Sequence, residues 1–427
     1  MASLREDGSG ERAAPSNPAA PSNPATPFNP ATPSNLAAPS NPAAPSNPTA
    51  PSTPTFRLAA FYLLYFAALG ALVPYWAPYL KRLGFSPAEI GELVAVFMAT
   101  RIAAPLVAGW LSDRYGRRML LVRLATAGSC VAFAGVLGGR SYAWLAGVSA
   151  LFSFCRSATL PPYEATTLNH LGRRAERYGR LRLWGSVGFI VGVVALGWLL
   201  ERHGEMLLIP VVLGIFVAIA MLSLTIPDHP GRPPAGDAPR LMQVLRRPEV
   251  LGLFAVSVLM VASHGPYYTF ITIHLEQSGY SKSQIGPLWG LGVLAEIGMF
   301  LVTGRLLGRF SARTLMVTSL ALTAVRWVLI ALFVGHLGVL LVAQTLHAFS
   351  FGLFHAVNIH VIHRRFTGPL QARGQALYAA LSHGLGGALG SLAAGYAWTG
   401  LGADHTYLAA AALPALGAVV ALVALRE

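Results

Sequence analysis

The strongest constraint on this chain is a succession of apolar stretches too long and too evenly apolar for water. Segments 89–108 and 119–137 carry no polar face, so neither can be an amphipathic helix lying on a soluble core. Each is long enough to cross a bilayer, which takes about 20 helical residues. Reading on from Phe56 gives twelve such spans: 57–80, 88–111, 118–138, 142–168, 180–201, 206–226, 249–275, 284–307, 313–334, 337–363, 371–398 and 404–425. The polar, proline-rich stretch 227–248 divides them into two sets of six, a central loop between bundles at 56–226 and 249–427. The expected fold class is an all-α polytopic membrane protein with twelve transmembrane helices in two six-helix, pseudo-symmetric halves.

Charge supports the same reading. Only 11% of residues are charged, against about 25% in soluble domains. The net charge of +14 could point to nucleic acid, but its distribution excludes that partner. Arginines gather in alternate loops, at 114, 117 and 118, at 173, 174 and 177, at 246 and 247, at 305, 309 and 313, and at 364, 365 and 373. The loops between hold little beyond Lys81, Arg82, Arg140, Arg202 and Lys282. This is the positive-inside pattern of a multi-pass chain with both termini cytoplasmic. A lone pair of cysteines, Cys130 and Cys155, lies in apolar runs and builds no disulfide framework.

Residues 1–55 are a different material. From Pro15 a hexad close to PSNPAA recurs, and such sequence cannot bury a core, so a disordered repeat tail is expected. It has no basic segment leading into an apolar one and is not a signal peptide.

The two halves are related in sequence. Tyr79-Leu80, Gly84-Phe85-Ser86 and Ile90-Gly91 recur 195 residues later as His274-Leu275, Gly279-Tyr280-Ser281 and Ile285-Gly286. The same offset carries Gly109 to Gly304, Arg114 to Arg309, Gly179 to Gly374 and Gly192 to Gly387. One register held across several helices means a duplicated six-helix unit, with a solute site expected between the halves near the midplane. Glycines crowd spans 5 and 11, where small faces let helices pack backbone to backbone.

Between spans 2 and 3 stands Gly109-Trp110-Leu111-Ser112-Asp113-Arg114-Tyr115-Gly116-Arg117-Arg118. Its glycines would let helix ends approach, Asp113 could cap or pair, and the arginines would hold the turn at the cytoplasmic side. The turn resembles the signature loop of the major facilitator superfamily, which implies a conformational-gating role for Gly109, Asp113, Arg114, Gly116 and Arg117. Its second copy is eroded, with Gly308 in the place of Asp113.

Charges inside the membrane are costly, at least ~2.5–3.5 kcal/mol on insertion scales, and mark function by default. Here they are Arg101, Arg156, Glu164, Glu296 and Arg326, with His264, His347, His355, His360 and His383 also embedded. Pro161-Pro162-Tyr163-Glu164 and the stretch Tyr178 to Phe189 resemble lactose permease and its relatives, and eighteen residues separate Glu164 from Arg182 as in that family's sugar-binding acid–arginine pair. The resemblance makes Glu164 and Arg182 substrate residues, with Phe189 where the permease stacks a tryptophan on the sugar. A salt bridge joining spans 4 and 5 is the bland alternative. Thr345 to Phe349 resembles the permease's span-10 histidine motif, and Glu296 and Arg326 resemble its span-8 acid and span-9 arginine. Ser350 replaces the acid that the family has three residues after the histidine. Because a bare carboxylate is penalised in a low dielectric, Glu296 is the candidate proton carrier, its state set by Arg326 and His347.

The membrane portion, 56–425, also resembles the phenylpropionate (hydrocinnamate) permease family through Ser263 to Tyr268, Leu294 to Ile297, Phe351 to His355 and Arg373 to Tyr378. This implies proton-linked uptake of a small aromatic acid in a bacterial inner membrane, with His264 added to the substrate residues. Arg156, Leu160 and Glu164 form one stripe of span 4, so Arg156 could meet a carboxylate; it could equally pair permanently with Glu164 or a backbone carbonyl. Tyr65, Tyr75, Trp76, Tyr267 and Tyr268 could supply aromatic walls. Two alternatives stay open, a sugar or nucleoside proton symporter and a non-transporting membrane sensor. The histidines of span 10 share their helix with no Asp, Glu or Cys, so no metal is expected. No nucleotide loop or catalytic motif appears, so the chain is expected to be no enzyme, to need no cofactor, and to meet solute, proton and lipid as a monomer.

Overall fold

Every long apolar stretch winds into helix because, away from water, only intra-segment hydrogen bonding satisfies the backbone. The computed structural model describes residues 54–228, 241–368 and 370–425. Nearly all of the expected tail and most of the expected central loop therefore lie outside the described residues. The first bundle holds α1 (Thr55–Arg82), α2 (Pro87–Tyr115), α3 (Arg118–Ala134), α4 (Tyr142–Leu171), α5 (Tyr178–His203) and α6 (Leu208–Thr225). The second holds α7 (Pro248–Gln277), α8 (Lys282–Arg309), α9 (Ala312–Phe333), α10 (Leu337–Arg365) and α11 (Leu370–Ala424). Gly402, at φ +79°, breaks the 55-residue α11 into arms 370–401 and 403–424, so the described residues provide twelve membrane-length segments. No strand occurs among the described residues.

The duplication is visible in the helix starts. Ser86 opens α2 with a reciprocal cap, its N–H donating to Glu89 Oε2 at 2.8 Å while Glu89 N–H donates back to Ser86 Oγ at 3.4 Å. Ser281 opens α8 through the same device with Gln284. Each cap follows a glycine in the left-handed region, Gly84 at φ +93° and Gly279 at φ +90°.

Helix pairs repeat as well. In the first bundle α1 lies on α5, where a Cβ on Gly188 would collide with the Leu63 carbonyl. In the second, α7 lies on α11, where a Cβ on Gly390 would collide with the Ala262 carbonyl. Between bundles, α2 packs on α11 and α5 on α8. The twin glycines sit at these seams: a Cβ on Gly91 would stand 2.6 Å from Gly395 Cα, and one on Gly286 would stand 2.9 Å from the Val193 carbonyl oxygen.

Polar ties between the bundles gather at the end bearing the α1–α2 and α7–α8 loops. Lys282 Nζ meets Glu205 across the seam at 3.0 Å, steadied by Glu276 of its own bundle at 3.1 Å, and Lys282 N–H donates to Glu201 at 2.7 Å. Tyr396 donates across the seam to Glu92 at 2.5 Å, and Tyr142, in the same bundle as Glu92, donates to it at 2.6 Å. On the outer flanks Val131, Leu301 and Val423 stand exposed, as a lipid-facing surface requires.

Two features depart from expectation. The Gly109–Arg118 segment is mostly helix, since α2 continues through Tyr115 and the chain turns only at Gly116, φ +66°, and Arg117. An added Cβ at Gly109 would meet nothing within 4 Å, so that glycine admits no close neighbour; Gly116 is needed for its left-handed backbone. The second bundle, in turn, contains two π-helical turns, Ala348–Leu353 in α10 and Ala379–Gly386 in α11.

Candidate functional site

Three polar groupings lie at or near the seam between the bundles. The first is Glu164 on α4 with Arg182 on α5, Arg182 Nε standing 3.9 Å from Glu164 Oε1. About a third of each side chain is exposed, 32% and 34%, so the pair faces open space. The Arg182 guanidinium lies 4.0 Å over the Phe66 ring, a cation–π contact that orients it without consuming its donors.

The second grouping lies inside the second bundle. Arg326 is fully buried and makes no ion pair with an acid among the described residues. Its charge is held by the Ala343 carbonyl at 2.9 Å, Ser350 Oγ at 3.0 Å and Gln344 Oε1 at 3.2 Å. The Tyr267 and Trp327 rings lie 4.2 and 4.7 Å from it. Arg326 also stands 3.2 Å from His347 Nδ1. A guanidinium only donates, so Nδ1 must accept, and the neutral ring carries its proton on Nε2. That nitrogen faces Glu296 Oε2 at 3.6 Å, inside ion-pair reach but longer than a hydrogen bond. Glu296 and Arg326 are thus linked through His347, not directly paired. Ser350 occupies the expected acid's position and serves Arg326 as an acceptor.

The third grouping lines a cavity of about 460 Å³, counting its open mouth, bounded by α1, α2, α4 and Tyr268 of α7. Arg101 and Arg156 both line it, with Trp76, Phe97 and Met98. The two guanidiniums repel each other, and neither forms an ion pair with an acid among the described residues. A second cavity, about 310 Å³ counting its open mouth, lies behind Tyr268 and is lined by His264, His355, Tyr378 and His383.

Residues 55–409 match the MFS_1 like family. The chain belongs to the MFS_1 like family. Over 370 residues it is 31% identical to the Escherichia coli (strain K12) protein named "Probable 3-phenylpropionic acid transporter", covering 84% of this chain and 95% of that one. It is 28% identical over 352 residues to the maltose permease of Geobacillus stearothermophilus, covering 79% and 86%. Among solved structures, the nucleoside transporter NupG superposes with a TM-score of 0.74 at 15% identity, covering 87% of this chain and 99% of that one. The POT family transporter PepTSo gives 0.71 at 12% identity, covering 88% and 98%. Family and fold are those of secondary transporters, multi-pass membrane proteins and not enzymes.

Within this MFS_1 like transporter, several sequence candidates come together. Glu164 meets Arg182, and Glu296, His347 and Arg326 form one chain of contacts. Phe189 lies across the seam from Trp289, ring centroids 6.5 Å apart. Arg156 is not within ion-pair distance of Glu164 among the described residues and turns to the first cavity instead. His264 points Nδ1 at the Met260 carbonyl, 2.8 Å away, and borders the second cavity. Of the gating-loop residues, Gly109, Asp113 and Arg114 lie in the last turns of α2, while Gly116 and Arg117 make the turn. Of the five aromatic candidates, Trp76 and Tyr268 line the first cavity; Tyr65 and Tyr75 donate to backbone carbonyls, and Tyr267 packs on Arg326. No cluster suited to a metal occurs among the described residues. Arg101 is the residue that motif comparison passed over; its mid-span charge was the available signal.

Proposed function

We propose that this protein is a proton-coupled symporter moving a small organic solute, an aromatic carboxylate of the phenylpropionate kind, by alternating access. On this reading it sits in a bacterial inner membrane as a monomer with both termini cytoplasmic. The arginine-rich loops share the end of the molecule that bears the N-terminus of α1, which supports that orientation. The ties at Lys282 and Glu92 then close the outward end.

The observation that carries proton coupling is the Arg326–His347–Glu296 chain. With Arg326 on Nδ1, His347 gains a second proton only by displacing the guanidinium. Glu296, mostly shielded beside Nε2, is left as the group that can load and unload a proton. Moving a bare carboxylate through a dry intermediate is expensive, so the carrier reorients with Glu296 neutral. Glu164 and Arg182 form the polar rim through which solute reaches the seam.

Glu296→Gln mimics the protonated form in shape and charge. In vesicles with an imposed pH gradient it is expected to abolish uphill accumulation while sparing exchange, whose cycle needs no deprotonation. Glu164→Gln should damage both modes. Accumulation against a gradient by Glu296→Gln would remove Glu296 from the coupling path. A second reading, a sugar or nucleoside symporter with Glu164, Arg182 and Phe189 as the recognition set, is favoured by the partly exposed Glu164–Arg182 pair. Counterflow with labelled aromatic acids, sugars and nucleosides separates the two.

A further inference from the structure

Resting on the carboxylate reading above, we infer that the solute's carboxylate is seated between Arg101 and Arg156, deeper in the seam than the Glu164–Arg182 pair, with its flat apolar part against Trp76 and Phe97. The cavity's polar lining consists almost wholly of donors. An arginine has five N–H groups and no acceptor, and an indole has one donor and none. Arg156 is about nine-tenths buried, and its Nε has no protein acceptor among the described residues. Trp76 Nε1 is buried and without an acceptor in the same sense, and it lines the same cavity. Buried donors are ordinarily satisfied, so two orphans on one cavity call for an acceptor-rich guest.

Charge leads to the same chemistry. Two guanidiniums facing one apolar cavity repel each other, and no acid in the lining offsets them. An anion would turn that repulsion into two charge-assisted contacts, and the planar fork of arginine fits a carboxylate. A neutral sugar would leave both charges unpaired. The rest of the lining is apolar: Leu69, Leu72, Val73 and Val94, with Trp76 meeting Phe97 edge-on at 5.6 Å. Such walls accept a ring; apart from the two arginines, the lining's side chains offer hydrogen bonds only through Trp76 Nε1 and the Tyr268 hydroxyl. The site joins the bundles, because Tyr268 of α7 closes a cavity otherwise built by α1, α2 and α4. Tyr268 also borders the second cavity, whose lining includes Ser350, an acceptor of Arg326. An occupied anion seat therefore touches the element that separates it from the coupling residues.

The test is calorimetric titration of the purified full-length protein in detergent with 3-phenylpropionate and with its neutral amide. The acid is expected to bind at least about tenfold more tightly than the amide, one strong charge-assisted contact being worth roughly 1.4 kcal/mol or more. Arg101→Gln and Arg156→Gln should each weaken the acid by about tenfold or more, and Arg101→Lys and Arg156→Lys by less, since charge survives without the fork. Trp76→Phe should cost about threefold, the loss of one neutral donor. Should a glutamine variant fail to fold, its lysine partner and Trp76→Phe decide the matter. Equal affinity for acid and amide, no binding of the acid, or monodisperse arginine variants that keep wild-type affinity would each overturn the seat. Failure of the symport reading shows separately: acid binding that obeys this pattern without pH-driven accumulation leaves the seat standing and removes proton coupling. Proton-driven uptake of a neutral solute does the reverse.

Discussion

In the first bundle Glu164 and Arg182 stand 3.9 Å apart with about a third of each side chain exposed. In the second, Arg326 is fully buried and wrapped by the Ala343 carbonyl, Gln344, Ser350, His347 and two aromatic faces. The two bundles share one repeat register, yet the first holds this pair at the seam's open rim while the second seals Arg326 away. Backbone follows the same division. The second bundle carries π turns beside His347 and around His383, while none occurs in the described residues of the first. A π turn adds a residue to the coil and re-aims the side chains beyond it, and such turns are frequent at functional sites. Under the proposed symport the contrast separates solute entry at a partly wetted rim from proton handling in a drier pocket.

The sharpest way to break this contrast is to remove one arginine from each bundle. Arg326→Gln should lower stability by about 3 kcal/mol, because it strips buried acceptors and an aromatic box of their charge. Arg182→Gln should cost no more than about 1 kcal/mol, the range of a partly exposed pair. Thermal unfolding of both variants in the same detergent is the measurement, and equal destabilisation would show that the burial difference has no energetic content.

A smaller effect is expected where the two copies of the gating segment differ. Asp113 and Gly308 occupy equivalent positions, at helix ends remote from the seam's polar groups. Asp113→Asn should lower the maximal transport rate by about tenfold and leave KM within about twofold, since such a site biases the conformational equilibrium without touching solute. Gly308→Asp should change neither by more than about twofold. A raised KM with an unchanged maximal rate in Asp113→Asn would place that segment in solute recognition.

The smallest effect sharpens the likeness of the bundles. Gly84→Ala and Gly279→Ala each force a side chain into the left-handed region, at φ +93° and φ +90°. Neither added Cβ meets a neighbour within 4 Å. Each should cost about 1 kcal/mol, from backbone strain alone. Unfolding midpoints that differ clearly between the two would mean that the repeat is conserved in shape but not in energetics.

Much of this architecture was legible in the sequence because its causes are local. Apolar length sets the crossings, and the 195-residue repeat already pairs Gly84 with Gly279 and Ser86 with Ser281, while their service as left-handed turns and helix caps is what the structure adds. The resemblance of Glu164, Arg182, Glu296, Arg326 and His347 to a known pattern likewise identified charged positions that a bilayer makes costly. Tertiary structure alone decided how those charges are partnered. Arg326 bonds to Ser350 and His347, not to Glu296; Arg156 turns from Glu164 toward Arg101, on a helix 55 positions earlier in the chain. Which faces of two helices meet depends on where glycines such as Gly188 and Gly390 let backbones touch, and on a π turn that rotates everything after it. Hydropathy and spacing hold no record of that rotation, so a shared cavity between distant arginines emerges only when the helices are packed.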